Sequence, residues 1–284
     1  MTVPIERIAK SLDSLPTLPV VALRIGEVIQ SDNASAHQLA QLLRTDPAIS
    51  AKLLRLVNSP NFGIPGGVSD VARAIPFVGF TALHQLVVGV GVMDALKTTN
   101  AKIDAKPLWL HSLVVATAAR EVAAELKFPD GGSCFTAGLL HDMGKIALAK
   151  AEPEKFVELC ARVRAGTPAH EAEAALELPS HEQIGARLAR QWRLPATLGT
   201  PIEYHHSLDA LDKLPANMRA FTEIIAVADA LSRRCSPATE IDLFIEDGDD
   251  RALAILERRG GSIDAICDRT RVQLDKSKAF LSLV

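Results

Sequence analysis

Apolar positions along this chain recur mainly with the period of an α-helix. Val20, Leu23, Ile25, Val28 and Ile29 share one side of a helix that Pro19 can open. Asp46-Pro47 reads as a helix start, a capping carboxylate followed by proline at the first helical position. The segment it opens, AISAKLLRLVNS, is apolar at Ile49, Leu53, Leu56 and Val57, and stops near Asn58-Ser59-Pro60. NFGIPGGVS then reads as a loop. Ser69 to Val78 and Thr81 to Leu96 read as two helices separated by Gly79, and Pro107 to Leu126 as another. After FPDGGS, one helix is expected from Phe135 to Ala149, followed by Pro153 to Val163 and Ala169 to Leu176. Ser180 with Gln183 forms a capping-box pattern opening a helix that ends at Trp192-Arg193-Leu194-Pro195. Pro201 to His206 is a helical turn, Ala216 to Arg233 a long amphipathic helix, and Arg251 to Arg259 and Ser262 to Lys276 terminal helices. No alternation of period two is long enough for a strand, so the expected fold is all-α.

Composition narrows the class. The 284 residues suffice for one large or two small domains, and 48% hydrophobic with 23% charged residues argues against disorder over most of the length. A net charge of -3 provides no basic field for a phosphate backbone, and 4% aromatics leaves few stacking platforms, so no nucleic-acid partner is expected. Cys134, Cys160, Cys235 and Cys267 lack CxxC spacing and are expected as free thiols in a reducing cytosol. MTVPIERIAKSLDSLP carries no secretory signal and Leu86 to Met93 is too short to span a bilayer, so a cytoplasmic location with no membrane association is expected. LPTLP at residues 15–19 reads as a rigid linker seating the next helix, Trp192 as a core anchor, Gly89 and Gly91 as sites of close helix packing, and the acidic EIDLFIEDGDD as a solvated loop.

The chemistry lies in polar residues set among apolar ones. GLLHDMGK places His141 and Asp142 side by side in an otherwise hydrophobic stretch. His111 lies near Trp109 and Leu113, His181 in the first turn of its capped helix, His205-His206 after Pro201, and Asp229 inside IIAVADAL. Burying one ionisable group costs several kcal/mol unless it is paired or bound to a cation. Intrusions on several separate helices therefore suggest a shared polar centre. Imidazole and carboxylate without thiolate suit one or two Zn, Fe, Mn, Ni or Co ions. Lys145 shares a helix face with both His141 and Asp142, where it can contact a phosphate or pair with Asp142.

HDMGK, with a histidine upstream and HH and an aspartate downstream, resembles the HD superfamily of metal-dependent phosphohydrolases. LPTLPVVALRI, DPAISAKLLRLVNSPNFG, ARAIPFVGF, WLHSLVVATAA, FTAGLLHDMGKIAL, HEQIGARLARQWRLP and IEYHH narrow the resemblance to the HDOD domain, an HD-related output domain of bacterial signalling proteins. It covers roughly residues 10–235. It implies an N-terminal helical part over residues 1–100 and an HD-like helical core over 101–235, and leaves outside it a helical C-terminal extension over 236–284. It also implies metal ligation by His111, His141, Asp142, His181, His205, His206 and Asp229, with Asp142 and Lys145 catalytic in an active enzyme. The related HD-GYP domains hydrolyse cyclic di-GMP and continue after their paired histidines with a DGxGYP loop. This chain reads SLDALDKLPANM there, without that glycine or Tyr-Pro, which argues against that substrate.

The reading favoured is a regulatory protein acting through contacts with signalling proteins, not an enzyme. The rival is a metal-dependent phosphohydrolase acting on a nucleotide or phosphate ester. A third is a sensor whose pocket takes a metal or nucleotide and changes partner affinity.

Overall fold

The computed structural model describes residues 4–18, 20–29, 35–97, 103, 105–236 and 250–277. Pro19 and nearly all of EIDLFIEDGDD lie outside the described residues. The helices are α1 (Ala9–Asp13), α2 (Val20–Ile29), α3 (Ala36–Arg44), α4 (Pro47–Val57), α5 (Ile75–Val78), α6 (Phe80–Leu96), α7 (Lys106–Glu125) and α8 (Gly131–Leu140). They continue with α9 (Met143–Ala151), α10 (Pro153–Arg164), α11 (Ala169–Ala175), α12 (His181–Gln191), α13 (Ala196–Tyr204), α14 (Ala216–Cys235), α15 (Asp250–Arg258) and α16 (Ile263–Ser277). No strand occurs among the described residues, and the all-α expectation holds. No helix there is long and apolar enough to cross a membrane.

Local signals act where they were placed. Asp46 Oδ1 accepts from the Ile49 amide, and the Ser180 hydroxyl and Gln183 side chain complete their reciprocal cap. Leu15 and Leu18 are buried while Pro16 and Thr17 are exposed, so the stretch before α2 seats itself on the core by its two leucines. Asn58 does more than stop α4. Its amide nitrogen donates to Val68 O (2.8 Å) and its Oδ1 accepts from Val68 N (2.7 Å), closing the glycine-rich loop.

Four expectations need correction. The helix expected over Phe135 to Ala149 is two helices, interrupted at His141-Asp142. The helix expected over Ser69 to Val78 is a 3-10 turn (Val71–Arg73) and the single turn α5, because Pro76 and the extended Asp70 confine regular structure to short pieces. The turn expected at Pro201 belongs to α13, which begins at Ala196 and carries Pro201 inside it. Two of the four cysteines are not free: Cys235 and Cys267 form a disulfide between α14 and α16, while Cys134 and Cys160 are free and buried.

One continuous buried core runs from Ile8 to Cys267. At its centre α7 and α8 pack so closely that a Cβ on Gly138 would come within 2.8 Å of Ala116 Cα. α14 crosses α7, α12 lies on α9 and α13, and α6 joins α8 to the N-terminal helices. Gly89 takes part in that last contact, where a Cβ would reach 3.2 Å from Thr136 Cγ2. Trp192 is buried as expected. α15 and α16 close the bundle against α14 and α7.

Candidate metal centre

The joint between α8 and α9 delivers the central residue. His141 is the C-cap of α8 and Asp142 the N-cap of α9, with Asp142 off the helical path at φ -98° and ψ 17°. Both side chains are buried. Two backbone approaches bring the other elements to them. Gly138 lets α7 close in with His111, and Gly144 lets α12 close in with His181.

Asp142 is the hub. Its Oδ2 lies 3.4 Å from His111 Nε2, 3.4 Å from His141 Nε2 and 2.9 Å from Lys145 Nζ. Its Oδ1 lies 3.5 Å from His181 Nε2 and 3.7 Å from His205 Nε2. Asp229, from α14, closes the opposite side. Its Oδ1 is 3.2 Å from His111 Nε2 and 3.7 Å from His141 Nε2, and its Oδ2 is 3.9 Å from His206 Nδ1. All seven ligands expected from the sequence, and Lys145, therefore meet in one place. Among the described residues, ligand atoms of Asp142, His181, His205 and His206 lie within 4.8 Å of one another, as do those of His111, His141 and Asp142.

Hydrogen bonds on the outer side of three rings aim their inner nitrogens. His141 Nδ1 lies 2.8 Å from Gly138 O, and His205 Nδ1 3.0 Å from Pro201 O. A carbonyl only accepts, so Nδ1 carries the proton and, in the neutral ring, Nε2 turns a lone pair inward. His181 Nδ1 is held in the same way by Glu173 Oε1 at 2.9 Å. Glu173, buried on α11, was not foreseen from the sequence. Neither was Glu182, which accepts from the His206 amide at 3.3 Å.

Several atoms of the centre have nothing of the protein to bond. Nε2 of His141, His181, His205 and His206 and Oδ1 of Asp142 are buried without a hydrogen-bond partner. Each such atom costs about 1–3 kcal/mol if left so. Those of His141, His181, His205 and Asp142 converge on a donor set that fits a cation, and imidazole with carboxylate is the set divalent transition metals accept.

The ionisable groups of the centre shift one another strongly. Burial opposes charge on Asp142, but Lys145 and the surrounding imidazoles prevail and hold its carboxyl well below the ordinary range. Burial likewise opposes charge on Asp229, and His111 and its neighbours outweigh it to lower the pKa. His111 is pushed up to about 9, burial being outweighed by Asp142 and Asp229. His181 also rises to about 9, where Glu173 and Asp142 overcome burial and the nearby Lys145. Burial lowers His141, and burial with the adjacent His205 lowers His206 well below its usual value. The centre opens at one edge only, where the Asp229 and His206 side chains are 17% and 25% exposed. Of the remaining histidines, His84 is buried on α6 and His37 pairs with Gln41 on α3.

Comparison with known proteins places this arrangement. An HDOD domain protein of unknown function from Geobacter sulfurreducens is 26% identical, with a TM-score of 0.76 and coverage of 99% of this chain and 97% of that one. A candidate phosphohydrolase from Shewanella amazonensis shares the fold at 20% identity, with a TM-score of 0.73 and 97% coverage of each chain. An uncharacterized protein of Treponema pallidum is 29% identical over 211 residues, which is 71% of this chain and 39% of that protein. This chain thus spans well under half the length of that relative. The HDOD domain family model matches residues 15–208, a range that includes His111 through His206 and stops short of Asp229. The chain belongs to the HDOD domain family.

Proposed function

We propose that this chain is a regulatory protein of bacterial signal transduction that acts through contacts with partner proteins and holds one or two divalent transition-metal ions in its core. The observation that carries the metal assignment is the convergence of three unpartnered imidazole Nε2 atoms, of His141, His181 and His205, around Asp142. Asp142 faces His111 and His141 with one oxygen and His181 and His205 with the other, and with those histidines would hold the metal.

The regulatory reading is supported by the region after His206. Residues Leu208–Lys213 form a 3-10 turn, Arg219 donates to Leu211 O and Asp212 O, and Arg251 of α15 pairs with Asp209. That turn is occupied with structural bonds where a related hydrolase carries a substrate loop. A solved relation of the same fold from Marinobacter aquaeolei, 21% identical, is described as a candidate signal transduction protein.

A second reading, a metal-dependent phosphohydrolase acting on a nucleotide or phosphate ester, is favoured by Lys145. Its ammonium is buried 2.9 Å from Asp142 Oδ2, beside the donor set. A bound metal pair supplies Lewis acidity toward a phosphoryl oxygen. The chain's own part would be to orient that oxygen at the His206–Asp229 edge, while Lys145 offsets its negative charge.

Metal analysis of protein purified without chelator, with an anomalous scattering map, tests the proposal. One or two ions per chain at these ligands supports it, and none after reconstitution overturns the metal assignment. Turnover of phosphodiesters or nucleotides by metal-replete protein would establish the second reading in place of a purely regulatory role. If contacts carry the signal, a folded variant with His141 and Asp142 replaced by alanine retains its output.

A further inference from the structure

Glu173 stands outside the ligand set and outside every motif of the HD core, yet it is 2% exposed. A carboxylate so deeply placed needs a reason. Its Oε1 accepts twice from one residue: from His181 Nδ1 at 2.9 Å and from the His181 backbone amide at 3.2 Å. The amide is among the first of α12, which has no intrahelical acceptor. The two bonds fix both the helix start and the rotation of the ring about it. The far side of the same ring places Nε2 3.5 Å from Asp142 Oδ1, with no hydrogen-bond partner of its own.

We infer that Glu173 is a positioning residue for the metal centre. It keeps the His181 proton on Nδ1 and so directs the Nε2 lone pair at the ion. This rests on the metal reading above. A carboxylate behind a ligating imidazole orients the ring and raises its basicity, and losing one typically weakens metal binding by about 10–100-fold. His141 and His205 have neutral carbonyls in the same role, so His181 alone of these three has a charged support. A residue that merely capped α12 would serve equally well with the ring turned over.

The test compares wild type, Glu173→Ala and Glu173→Gln by zinc titration and by nitrogen-15 NMR of the histidine rings. The metal-free spectra are followed with rising pH until the histidine rings are neutral. Wild type should show the proton on Nδ1 of His181. Glu173→Ala should lose that preference and bind zinc about 10–100-fold more weakly. Glu173→Gln, whose amide oxygen can still accept, should keep the Nδ1 proton and recover most of the affinity. A folded Glu173→Ala protein with unchanged tautomer and affinity, even at lower Tm, would overturn the inference. If Glu173→Ala does not fold, a proton on Nε2 in wild type overturns it, and Nδ1 in both wild type and Glu173→Gln sustains it. A wild-type protein that takes up no zinc defeats the metal reading separately, and the metal-free spectra still decide the role of Glu173 in orienting the ring.

Discussion

Gly144 lies against the carbonyl oxygen of His181 so closely that a Cβ on residue 144 would overlap it. The contact seats α9 on α12 and so brings Asp142 within 3.5 Å of His181. Glycine is therefore required here by the site's geometry, even though residue 144 carries no chemistry itself.

Gly144→Ala should force the two helices apart. A loss of at least about 2 kcal/mol is expected, the cost of overpacking a rigid interface. Urea denaturation of the metal-free protein reads that loss. Zinc titration of whatever fraction folds should show weakened uptake as well, since His181 moves with the helix.

Asp142→Asn removes the charge that faces four imidazoles and Lys145. Metal uptake should fall by at least about 100-fold, or about 2.7 kcal/mol, because the carboxylate that faces His111 and His141 with one oxygen and His181 and His205 with the other is gone. Elemental analysis after dialysis against a weak chelator measures this. Retention of the wild-type metal content would mean that the ion sits elsewhere.

His84 gives the protein an acid sensitivity separate from the metal centre. Burial lowers its pKa from 6.5 to about 4. Between those values the unfolded chain binds a proton that the folded chain refuses. Stability is thus full above pH 6.5 and is lost as pH falls toward 4. Relative to wild type, His84→Asn should gain up to about 2 kcal/mol between pH 7.5 and pH 5. Parallel denaturation midpoints over that range check the slope.

The bond between Cys235 and Cys267 closes a sequence separation of 32 residues. Chain entropy alone assigns such a closure up to about 3.7 kcal/mol. Dithiothreitol should lower the Tm of wild type and leave Cys267→Ser unmoved. An equal effect of the reductant on both would remove the disulfide from the account.

Much of this was legible in the sequence because the signals were local. The Asp46 cap and the Ser180–Gln183 box depend on residues three apart, and both form as the spacing indicates. The seven residues that meet around Asp142 stood out because ionisable residues interrupt apolar helices. The joint at His141-Asp142 was hidden by the same apolar residues, since Leu139, Leu140, Ile146 and Leu148 continue the pattern across it and all are buried. α3 escaped although Ser35 and Gln38 form a capping box before it. Glu173 could not be told from Glu171 and Glu177, which are exposed neighbours on the same short stretch. What distinguishes it is a contact with His181, eight residues on, that no local pattern records. The disulfide is hidden for a similar reason, since only the packing of α16 on α14 brings its cysteines together.

That disulfide sits on the same helix as one wall of the metal centre. Asp229 and Cys235 are six residues apart on α14, about 9 Å along its axis. The middle of the helix carries a carboxylate of the centre and its end is bonded to α16, so the disulfide ties the C-terminal helix covalently to the element that presents Asp229 to His111, His141 and His206, a tie that reduction of the two cysteines removes.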